Sequence, residues 1–428
     1  MPRIALAVLG CKLNQAEAQS WARALSEAGA DIAPLSAPAD VCLVHSCAVS
    51  REAERKSRQL LRQARRAHPG ALVVAAGCAA ELALQEARRL ACEDVLLGHT
   101  AVGDLPGELL RWLGLAAEGN GVGSLQAPVV RRTRALVKAQ DGCNQRCAYC
   151  IVPRLRGAQH SRPIGEVVAQ AREMVARGYR ELVLTGTQLG EYGRDGGAGE
   201  GATLAALVAR LLTDTGVERL RLSSLQPQDL SQDLLALWQD GRVCPQLHLA
   251  LQSGSDAVLA RMRRRYDAGR FLLALERVRR AVPDLAVTTD VIAGFPGETE
   301  QDFAETLRVC RDAGFARLHA FPFSARPGTL AAAMPGQTPP SVKLDRVQRL
   351  LALAEELQAA HERSLDGTVA RVLWEEEDAD GWKGRAEDGT AVYAQVGAAS
   401  GNTISEVCLR AGGRHLKAEP AVVTAGCG

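Results

Sequence analysis

The 428-residue chain has no long apolar segment and almost no net charge. No stretch of about 18 uncharged apolar residues occurs, which argues against a transmembrane helix. Lys and Arg number 51 against 49 Asp and Glu, so global charge does not mark the protein as a nucleic-acid binder. Aromatic residues make up only 4%, yet a hydrophobic content of 47% is enough for packed cores. At ~100–200 residues per domain, we expect two to three domains.

The N-terminus also lacks a recognisable secretion signal. The segment MPRIALAVLGCK has a short apolar run and then turns polar, which is typical of a buried first strand. We therefore expect a cytoplasmic protein. The chain contains 12 cysteines, and in a reducing compartment cysteines serve metal ligation rather than disulfides.

Cys143, Cys147 and Cys150 stand close together in the run DGCNQRCAYC. Three cysteines at this spacing cannot pair off as disulfides without leaving one over. Their thiolates can instead converge on one iron–sulfur cluster. Zinc sites and iron–sulfur sites normally take four protein ligands, so a set of three leaves one iron open to another molecule.

A second set of three cysteines follows predicted strands of the N-terminal region. Apolar runs separated by helical segments predict a parallel α/β sheet: residues 3–9, 41–45 and 71–76. Cys11, Cys47 and Cys78 come just after these runs. Because the carboxyl ends of parallel strands meet at one edge of a sheet, we expect the three thiols to converge there. Gly10 and Gly77 would let the backbone approach a bulky group closely.

Composition divides the chain into three parts, with a linker between the first and the second. We predict an N-terminal α/β domain over residues 1–118, a Gly-rich linker over 119–134, a βα series over 135–364 and a small barrel over 365–428. Six apolar runs alternate with helical patterns in the βα series and predict a partial (β/α)6 barrel, with its chemistry at the strand carboxyl ends. Short alternating strands after Asp366 predict a five-stranded antiparallel β-barrel.

The cysteine spacing and several longer segments resemble the methylthiotransferase family of radical S-adenosylmethionine enzymes over essentially the whole chain. C-x3-C-x2-C with an aromatic residue before the last cysteine is similar to the signature of that superfamily. GCKLNQAE (10–17), HSCAVS (45–50) and GCAA (77–80) resemble the three N-terminal cysteine motifs of the family, although His-Ser stands where Asn-Thr is common. CIVPRLRGAQHSRP (150–163) resembles the segment after the radical-domain cysteines.

This resemblance implies two [4Fe–4S] clusters. The cluster of the central cysteines would bind S-adenosylmethionine at its open iron and cleave it to a 5′-deoxyadenosyl radical, with Tyr149 near the nucleoside. The N-terminal cysteines would hold an auxiliary cluster that bears the sulfur of the methylthio group. Other residues expected to bind S-adenosylmethionine lie at strand ends: Gly186, Thr187, Ser223, Ser224, Gln252, Asp290, Gly294 and Pro296. Ser and Gln at strand ends also commonly cap turns, so each has an ordinary alternative role.

Further segments resemble the branch that methylthiolates C2 of N6-threonylcarbamoyladenosine at position 37 of tRNA: LTGTQLGEYG (184–193), RLRLSSLQP (219–227), LALQSGSDAVLARMRRRYD (249–267), TTDVIAGFPGET (288–299) and FPFSARPGT (321–329). The implied partners are tRNA, S-adenosylmethionine, a flavodoxin- or ferredoxin-like electron donor and a sulfur source. The barrel at the C-terminus would be a TRAM domain. A threonylcarbamoyl carboxylate needs a cation, and the planar fork of an arginine suits it best. Arg264 and Arg265 are the candidates, although the same residues suit contacts with tRNA phosphates.

The charge distribution leaves several alternatives open. Residues 51–66 hold seven basic and two acidic side chains, a net charge of +5, but a charged helix face is more often simply solvated. Residues 366–428 hold ten acidic and six basic side chains, a net charge of −4, which is unlike an RNA-binding barrel unless the charges segregate. Methylthiolation of another tRNA adenosine or of ribosomal protein S12 would fit the same cysteines. An RNA-binding iron–sulfur redox sensor is the alternative of a different class, but an open iron has no use in an electron carrier.

Overall fold

The computed structural model of the protein describes residues 1–99, 105–112, 133–412 and 415–420. The chain packs into two compact units, each assembled from separated segments. The first unit comprises Met1–Arg132, Asp141–His160 and Ser324–Ala332, and the second comprises Thr133–Gln140, Ser161–Phe323 and Ala333–Gly428. The predicted linker lies outside the described residues except for its last two positions. The predicted domain boundaries stay predictions.

The first unit is built on a parallel sheet. Its elements up to residue 112 are β1 (Arg3–Val8), α1 (Lys12–Glu27), β2 (Asp31–Ala33), β3 (Val41–Ser46), α2 (Arg51–Ala67), β4 (Leu72–Gly77), α3 (Cys78–Gln85), β5 (Val95–Leu97) and α4 (Leu105–Trp112). The strand order is β2-β1-β3-β4-β5, and every neighbouring pair is parallel. The prediction of a parallel α/β fold is confirmed.

The central strand β3 explains why this sheet forms. All six of its residues are buried, as expected for a continuous apolar run covered by helices on both faces. Because successive side chains point to opposite faces, Cys42 and Val44 join one apolar core while Val41 and Leu43 join the other. The carboxyl ends of β1, β3 and β4 therefore lie side by side in the middle of the sheet.

The middle of the chain alternates strands and helices as predicted. Its elements are β6 (Arg134–Asp141), α5 (Val152–Arg156), β7 (His160–Ser161), α6 (Ile164–Ala176), β8 (Glu181–Gly186), α7 (Leu204–Asp214), β9 (Arg219–Leu222), α8 (Gln232–Ala236), β10 (Gln246–His248), α9 (Asp256–Arg261), α10 (Ala268–Ala281), β11 (Ala286–Ala293), α11 (Glu300–Ala313), β12 (Arg317–Pro322) and α12 (Pro340–Ser364). The strands form two sheets, β7-β6-β8-β9 and β10-β11-β12, and single parallel bridges such as Leu225 with Leu249 connect them. This is the expected partial barrel.

The C-terminal part forms a closed five-stranded barrel. Its strands are β13 (Val369–Asp378), β14 (Gly381–Ala386), β15 (Ala391–Ala394), β16 (Ile404–Gly412) and β17 (His415–Pro420), in the order β13-β14-β15-β17-β16. The prediction of a wholly antiparallel barrel is wrong at one pair, because β15 and β17 are parallel. A closed ring with an odd number of strands cannot alternate in direction all the way round, so one neighbouring pair must be parallel.

A buried ion-pair cluster joins this barrel to the central sheet within the second unit. Glu181 of β8 accepts from Arg219 at 2.7 Å and from Arg221 at 2.8 Å, and all three side chains are almost fully buried. Arg219 also donates to the carbonyls of Arg385 and Ala386 in the barrel. Burial alone would raise the pKa of Glu181, but the two guanidinium groups lower it to about 2. None of the described helices has the length and apolarity that crossing a bilayer requires.

Candidate functional site

The three N-terminal cysteines follow three neighbouring strands of the first unit. Cys11 is the N-cap residue of α1, Cys78 is the first residue of α3, and Cys47 comes directly after β3. Their thiols are close enough to interact electrostatically with one another. The N-terminus of a helix carries a partial positive charge, which favours a thiolate or an anionic group. The fold thus brings the three sulfurs near one another, with Cys11 and Cys78 at helix N-termini.

Two glycines allow the chain to turn tightly at this site. Gly10 has φ = +110° and Gly77 has φ = +88°, which L side chains rarely adopt. A Cβ on Gly10 would lie 2.9 Å from the Cβ and 3.0 Å from the Sγ of Cys47. A Cβ on Gly77 would lie 2.3 Å from Nδ1 of His45. Both positions must therefore remain glycine for the cysteine loops to approach one another.

Asn14 connects the loops around these cysteines. Its Nδ2 donates to the carbonyl of Leu9 at 2.9 Å and to that of Ser46 at 3.0 Å. Its Oδ1 accepts from the Cys11 thiol at 3.4 Å and from Arg156 at 2.7 Å. The side chain is fully buried, so this one amide fixes the ends of β1 and β3 relative to each other.

Arg156, at the end of α5, lies between the two cysteine motifs. Its Nη1 donates to Asp141 at 2.9 Å and to Glu17 at 3.1 Å. Its positive charge also acts on the thiol of Cys78 and lowers the pKa of that thiol against the effect of burial. Asp141 stands two residues before Cys143, so Arg156 contacts both the N-terminal cysteine site and the start of the central cysteine loop.

The central cysteines occupy a compact loop of the same unit. Cys143, Cys147 and Cys150 are all half-buried, as is Tyr149, which forms part of the turn between them. The backbone N–H of Cys150 donates to the carbonyl of Cys147 at 3.1 Å. Cys143 donates its N–H to the carbonyl of Gly157, which closes the loop at its base. Each of the three cysteines therefore keeps part of its surface exposed.

Burial opposes ionisation of the thiols of Cys47 and Cys78. It raises the pKa of Cys47 above its ordinary value, and it raises the pKa of Cys78 to about 12, although Arg156 acts in the opposite direction on both. Metal ligation requires thiolates, so loading this site must release protons. The three thiol donors that the described residues provide at each motif fit a [4Fe–4S] cluster with one open iron.

The donor chemistry does not favour a further metal ion beside these sites. Among the described residues, one group of three potential ligand atoms lies within 4.8 Å of one another, in Glu17, His99 and Asp141. Arg156 already donates to both of these carboxylates. The guanidinium therefore supplies the positive charge that a metal ion would otherwise bring.

The residues expected to bind S-adenosylmethionine lie in the second unit, at or after the strand ends. Gly186 ends β8, and Thr187 follows it. A Cβ on Gly186 would lie 2.9 Å from Oε1 of Gln140, which itself accepts from the N–H of Gln188. Ser223 and Ser224 follow β9, but Ser223 is buried and Ser224 is exposed, so they do not present two equivalent hydroxyl groups.

The remaining expected residues cluster around β11. Gln252 has φ = +68° and bridges to this strand, with its N–H donating to the carbonyl of Asp290. Asp290 itself pairs with His248 at 3.4 Å. Gly294 and Pro296 are buried in the turn after the strand, where the N–H of Gly294 donates to Glu298 at 2.6 Å. The roles of all these residues stay predictions.

Arg264 and Arg265 follow α9 in the second unit. Arg265 is half-exposed and pairs with Glu191 at 3.1 Å. Arg264 donates its Nε to the hydroxyl of Tyr266 and lies 4.8 Å from the centre of that ring. Both guanidinium groups are thus held by the protein, and the carboxylate of Glu191 already occupies one of them.

The basic clusters differ in how their charges are compensated. On α2, Arg55 pairs with Glu52 and Arg65 with Asp94, which leaves exposed positive charge at residues such as Arg62. In the C-terminal barrel, arginines pair with acidic side chains of the same barrel: Arg371 with Glu387, Arg385 with Glu375, and Arg410 with Glu419. Arg414 of the same part of the chain lies outside the described residues. The barrel arginines are therefore less available to a phosphate than those of α2.

The sequence signals missed the two buried arginines next to the N-terminal cysteines, Arg156 and Arg326. Both lie in segments that resemble family motifs, 150–163 and 321–329, but nothing in either segment links them to cysteines more than 70 residues away. The structure places both arginines in the first unit.

Comparisons with known proteins agree with this arrangement. Residues 137–310 match the Radical SAM superfamily, and residues 3–98 match the family described as Uncharacterized protein family UPF0004. The chain is 36% identical over 388 residues to "Threonylcarbamoyladenosine tRNA methylthiotransferase MtaB" of Bacillus subtilis (strain 168), covering 88% of this chain and 85% of the relative. The chain belongs to the methylthiotransferase family of radical S-adenosylmethionine enzymes.

Methylthiotransferases of a second kind match equally well. "tRNA-2-methylthio-N(6)-dimethylallyladenosine synthase" of Frankia alni is 38% identical over 433 residues, covering 96% of this chain and 87% of the relative. Among solved structures, the radical S-adenosylmethionine methyltransferase TsrM from Kitasatospora setae superposes with a TM-score of 0.54. It covers 75% of this chain and 73% of its own, and at 14% identity the likeness concerns the fold alone.

Membership of the methylthiotransferase family confirms the expected enzyme class. It also confirms the expected cofactors, S-adenosylmethionine and two [4Fe–4S] clusters. It does not test which residues hold them. The assignment of individual ligands therefore belongs to the proposal that follows.

Proposed function

We propose that this methylthiotransferase replaces the C2 hydrogen of N6-threonylcarbamoyladenosine at position 37 of tRNA by a methylthio group. The observation that carries the proposal is the presence of two cysteine triplets in one compact unit, each one ligand short of a complete set. An adenine C2–H offers no acidic proton to a general base, so the reaction needs radical chemistry that a cofactor supplies.

Each triplet takes a separate role in this proposal. Cys143, Cys147 and Cys150 hold the cluster that, when bound, supplies the electron for cleaving S-adenosylmethionine. The three N-terminal cysteines, Cys11, Cys47 and Cys78, hold the auxiliary cluster next to which the sulfur is delivered. The strand-end residues of the second unit, from Gly186 to Pro296, orient the amino group, carboxylate and nucleoside of S-adenosylmethionine.

The substrate branch rests on the motif segments and on the chemistry of the modified base. Relatives named for threonylcarbamoyladenosine and for dimethylallyladenosine are similarly identical to this chain, so overall identity does not separate the two. Threonylcarbamoyl carries a carboxylate, whereas dimethylallyl is a bare hydrocarbon. A buried carboxylate needs a partner, and Arg264 or Arg265 would provide it, the latter in competition with Glu191.

Two further expectations complete the proposal. A flavodoxin- or ferredoxin-like protein supplies the electrons, and a separate sulfur source replenishes the transferred atom. The enzyme acts in the cytoplasm, where its tRNA substrate is found and where thiols stay reduced. The exposed basic face of α2 contributes to tRNA binding through phosphates, which makes that binding salt-dependent.

Nucleoside analysis of tRNA tests the function directly. Cells that lack the protein should lose 2-methylthio-N6-threonylcarbamoyladenosine and regain it with the wild-type protein. The variant with alanine at Cys143, Cys147 and Cys150 should restore nothing and form no 5′-deoxyadenosine in vitro. A methylthio group found instead on dimethylallyladenosine, or on an aspartate of ribosomal protein S12, would select a different substrate.

The second triplet gives the matched control. Alanine at Cys11, Cys47 and Cys78 should stop methylthio transfer while S-adenosylmethionine cleavage remains measurable. If the wild-type protein cleaves no S-adenosylmethionine under reducing conditions, the protein is not an enzyme of this kind. The non-catalytic redox sensor would then be the better interpretation.

A further inference from the structure

Two buried arginines beside the N-terminal cysteines have no part in the roles described so far. Arg156 is 6% exposed and Arg326 is 2% exposed. Arg156 ends α5, shortly after the central cysteine loop, and Arg326 belongs to the separate segment Ser324–Ala332 of the first unit. Arg326 pairs with Glu54 on α2, one turn before Ser57, whose hydroxyl accepts from the N–H of Cys47. Two distant parts of the chain therefore each deliver one guanidinium group near the N-terminal cysteines.

Arg156 is tied to the loops that carry the N-terminal cysteines. It donates to Oδ1 of Asn14 at 2.7 Å, and the same oxygen accepts from the thiol of Cys11. Through its Nδ2, Asn14 also donates to the carbonyl of Ser46, the residue before Cys47. Glu17 and Asp141 hold the guanidinium in this position through four hydrogen bonds at 2.9 to 3.1 Å.

Arg326 brings a positive charge that is only partly compensated. Its Nη2 donates to Glu54 at 2.7 Å, but Glu54 also pairs with Arg58 and Arg88, so one carboxylate faces three guanidinium groups. The Nε–H of Arg326 is buried and has no acceptor in the part of the chain that the structure describes. A buried donor left without a partner is costly, which points to an acceptor that the protein alone does not provide.

We propose that Arg156 and Arg326 are positioning residues that hold the negative charge of the auxiliary cluster and of its sulfur ligand. This inference rests on the proposed function. Three thiolates together with an anionic sulfur outweigh the positive charge of the iron–sulfur core. Burying that net negative charge is expensive unless counter-charges lie beside it. Arg156 organises the cysteine loops around the cluster, and the free donor of Arg326 is available to the sulfur.

The experiment isolates the auxiliary cluster and measures its charge environment. The background is the full chain with Cys143, Cys147 and Cys150 replaced by alanine, reconstituted anaerobically with iron and sulfide. Iron content shows whether the cluster has formed. A redox titration with dithionite, followed by electron paramagnetic resonance, then gives the midpoint potential of that cluster.

Substitutions that remove a positive charge and substitutions that remove a negative charge should shift the midpoint potential in opposite directions. Arg156→Gln and Arg326→Met each remove a positive charge, so reduction should become about tenfold less favourable, a shift of 59 mV to lower potential. Glu17→Gln removes a negative charge and should raise the potential. Arg156→Lys and Arg326→Lys keep the charge and should lie closer to the parent. A purely structural role would not produce shifts that follow the sign of the charge.

Arg65→Gln is the matched control. Arg65 is also ion-paired within the first unit, but its charge acts on Cys42 and Cys92 rather than on the triplet. Its substitution should leave the potential unchanged. The proposal is overturned if the arginine variants bind iron and keep the parent potential, or if the neutral and lysine variants all fail to load the cluster. Loading that is lost in the neutral variants but recovered with lysine supports it.

The same experiment separates this inference from the proposed function. If the parent background binds no iron, then the N-terminal cysteines hold no auxiliary cluster and the proposed function fails. If the parent binds iron and only the charge variants behave unexpectedly, then the proposed function stands and the role of the arginines is wrong.

Discussion

Gly10 and Gly29 have similar backbone angles but different surroundings, which makes them a useful pair at the scale of single residues. Their φ angles are +110° and +92°, so alanine is strained at either position, by roughly 1 kcal/mol or more. A Cβ at Gly29 meets nothing within 4 Å, whereas one at Gly10 meets Cys47. We expect both Gly→Ala variants to lower the free energy of unfolding, but only Gly10→Ala to reduce the iron bound per chain after reconstitution. Equal iron loss in both would contradict the close approach at Cys47.

Asp229 predicts a specific pH dependence of stability. Burial, with a smaller contribution from Glu191, raises the pKa of its carboxyl to about 6. Between about pH 4 and pH 6 the unfolded chain ionises this group while the folded protein keeps it protonated. Stability should therefore be full below this window and fall by about 2–3 kcal/mol as pH rises through it. Asp229→Asn should remove that fall, measured as urea unfolding at several pH values. Parallel pH profiles for the variant and the wild type would contradict the raised pKa.

At the residue scale, the sequence pointed to the cysteines of the candidate site but not to the side chains that surround them. The six cysteines stand in short spaced motifs, so their proposed grouping needs only local pattern and strand order. Arg156 and Arg326 have no such pattern, because their position depends on packing between distant segments. Arg265 was predicted as a carboxylate partner, but its contact with Glu191 depends on two loops that are 74 residues apart.

At the scale of secondary-structure elements, the spacing of apolar residues predicted helices and strands well where the packing is regular. The helical segment expected between the second and third apolar runs is α2, and Ser50 accepts from the N–H of Ala53 at its N-cap. β10 is shorter than the apolar run 247–251, because after His248 the chain pairs only through single bridges and Gln252 adopts a positive φ. The parallel pair β15–β17 follows from barrel closure, which no local pattern encodes.

The buried ion pairs that connect β8 and β9 with the C-terminal barrel lead to a prediction about stability. Glu181→Gln leaves Arg219 and Arg221 buried without their counter-charge, so we expect a loss of about 3–5 kcal/mol in the free energy of unfolding. Glu173→Gln on α6 is the control, since its pair with Arg177 is well exposed and should contribute less than about 1 kcal/mol. Urea denaturation measures both. Similar small losses in the two variants would show that the buried cluster does not stabilise the joint.

At the scale of the whole molecule, two clusters per chain are the central expectation. Anaerobic reconstitution should give about eight iron atoms per chain, and about four in a variant that lacks either triplet. Iron and sulfide analysis of the wild type and the two triple variants measures this. A wild-type value near four would mean that one triplet binds no cluster. The order of parts along the chain was predictable from composition, whereas the assembly of the first unit from three separated segments depends on contacts that only the folded chain reveals.

That discontinuous first unit has a consequence for synthesis on the ribosome. Its last segment, Ser324–Ala332, is translated almost 200 residues after the end of its first, Met1–Arg132. A nascent chain can form the N-terminal sheet early, but Arg326 emerges only after most of the protein has been made. The N-terminal cysteines therefore spend much of translation without one of their two buried guanidinium neighbours. We expect delivery of iron and sulfide to them to be most productive once that late segment has emerged and packed into place.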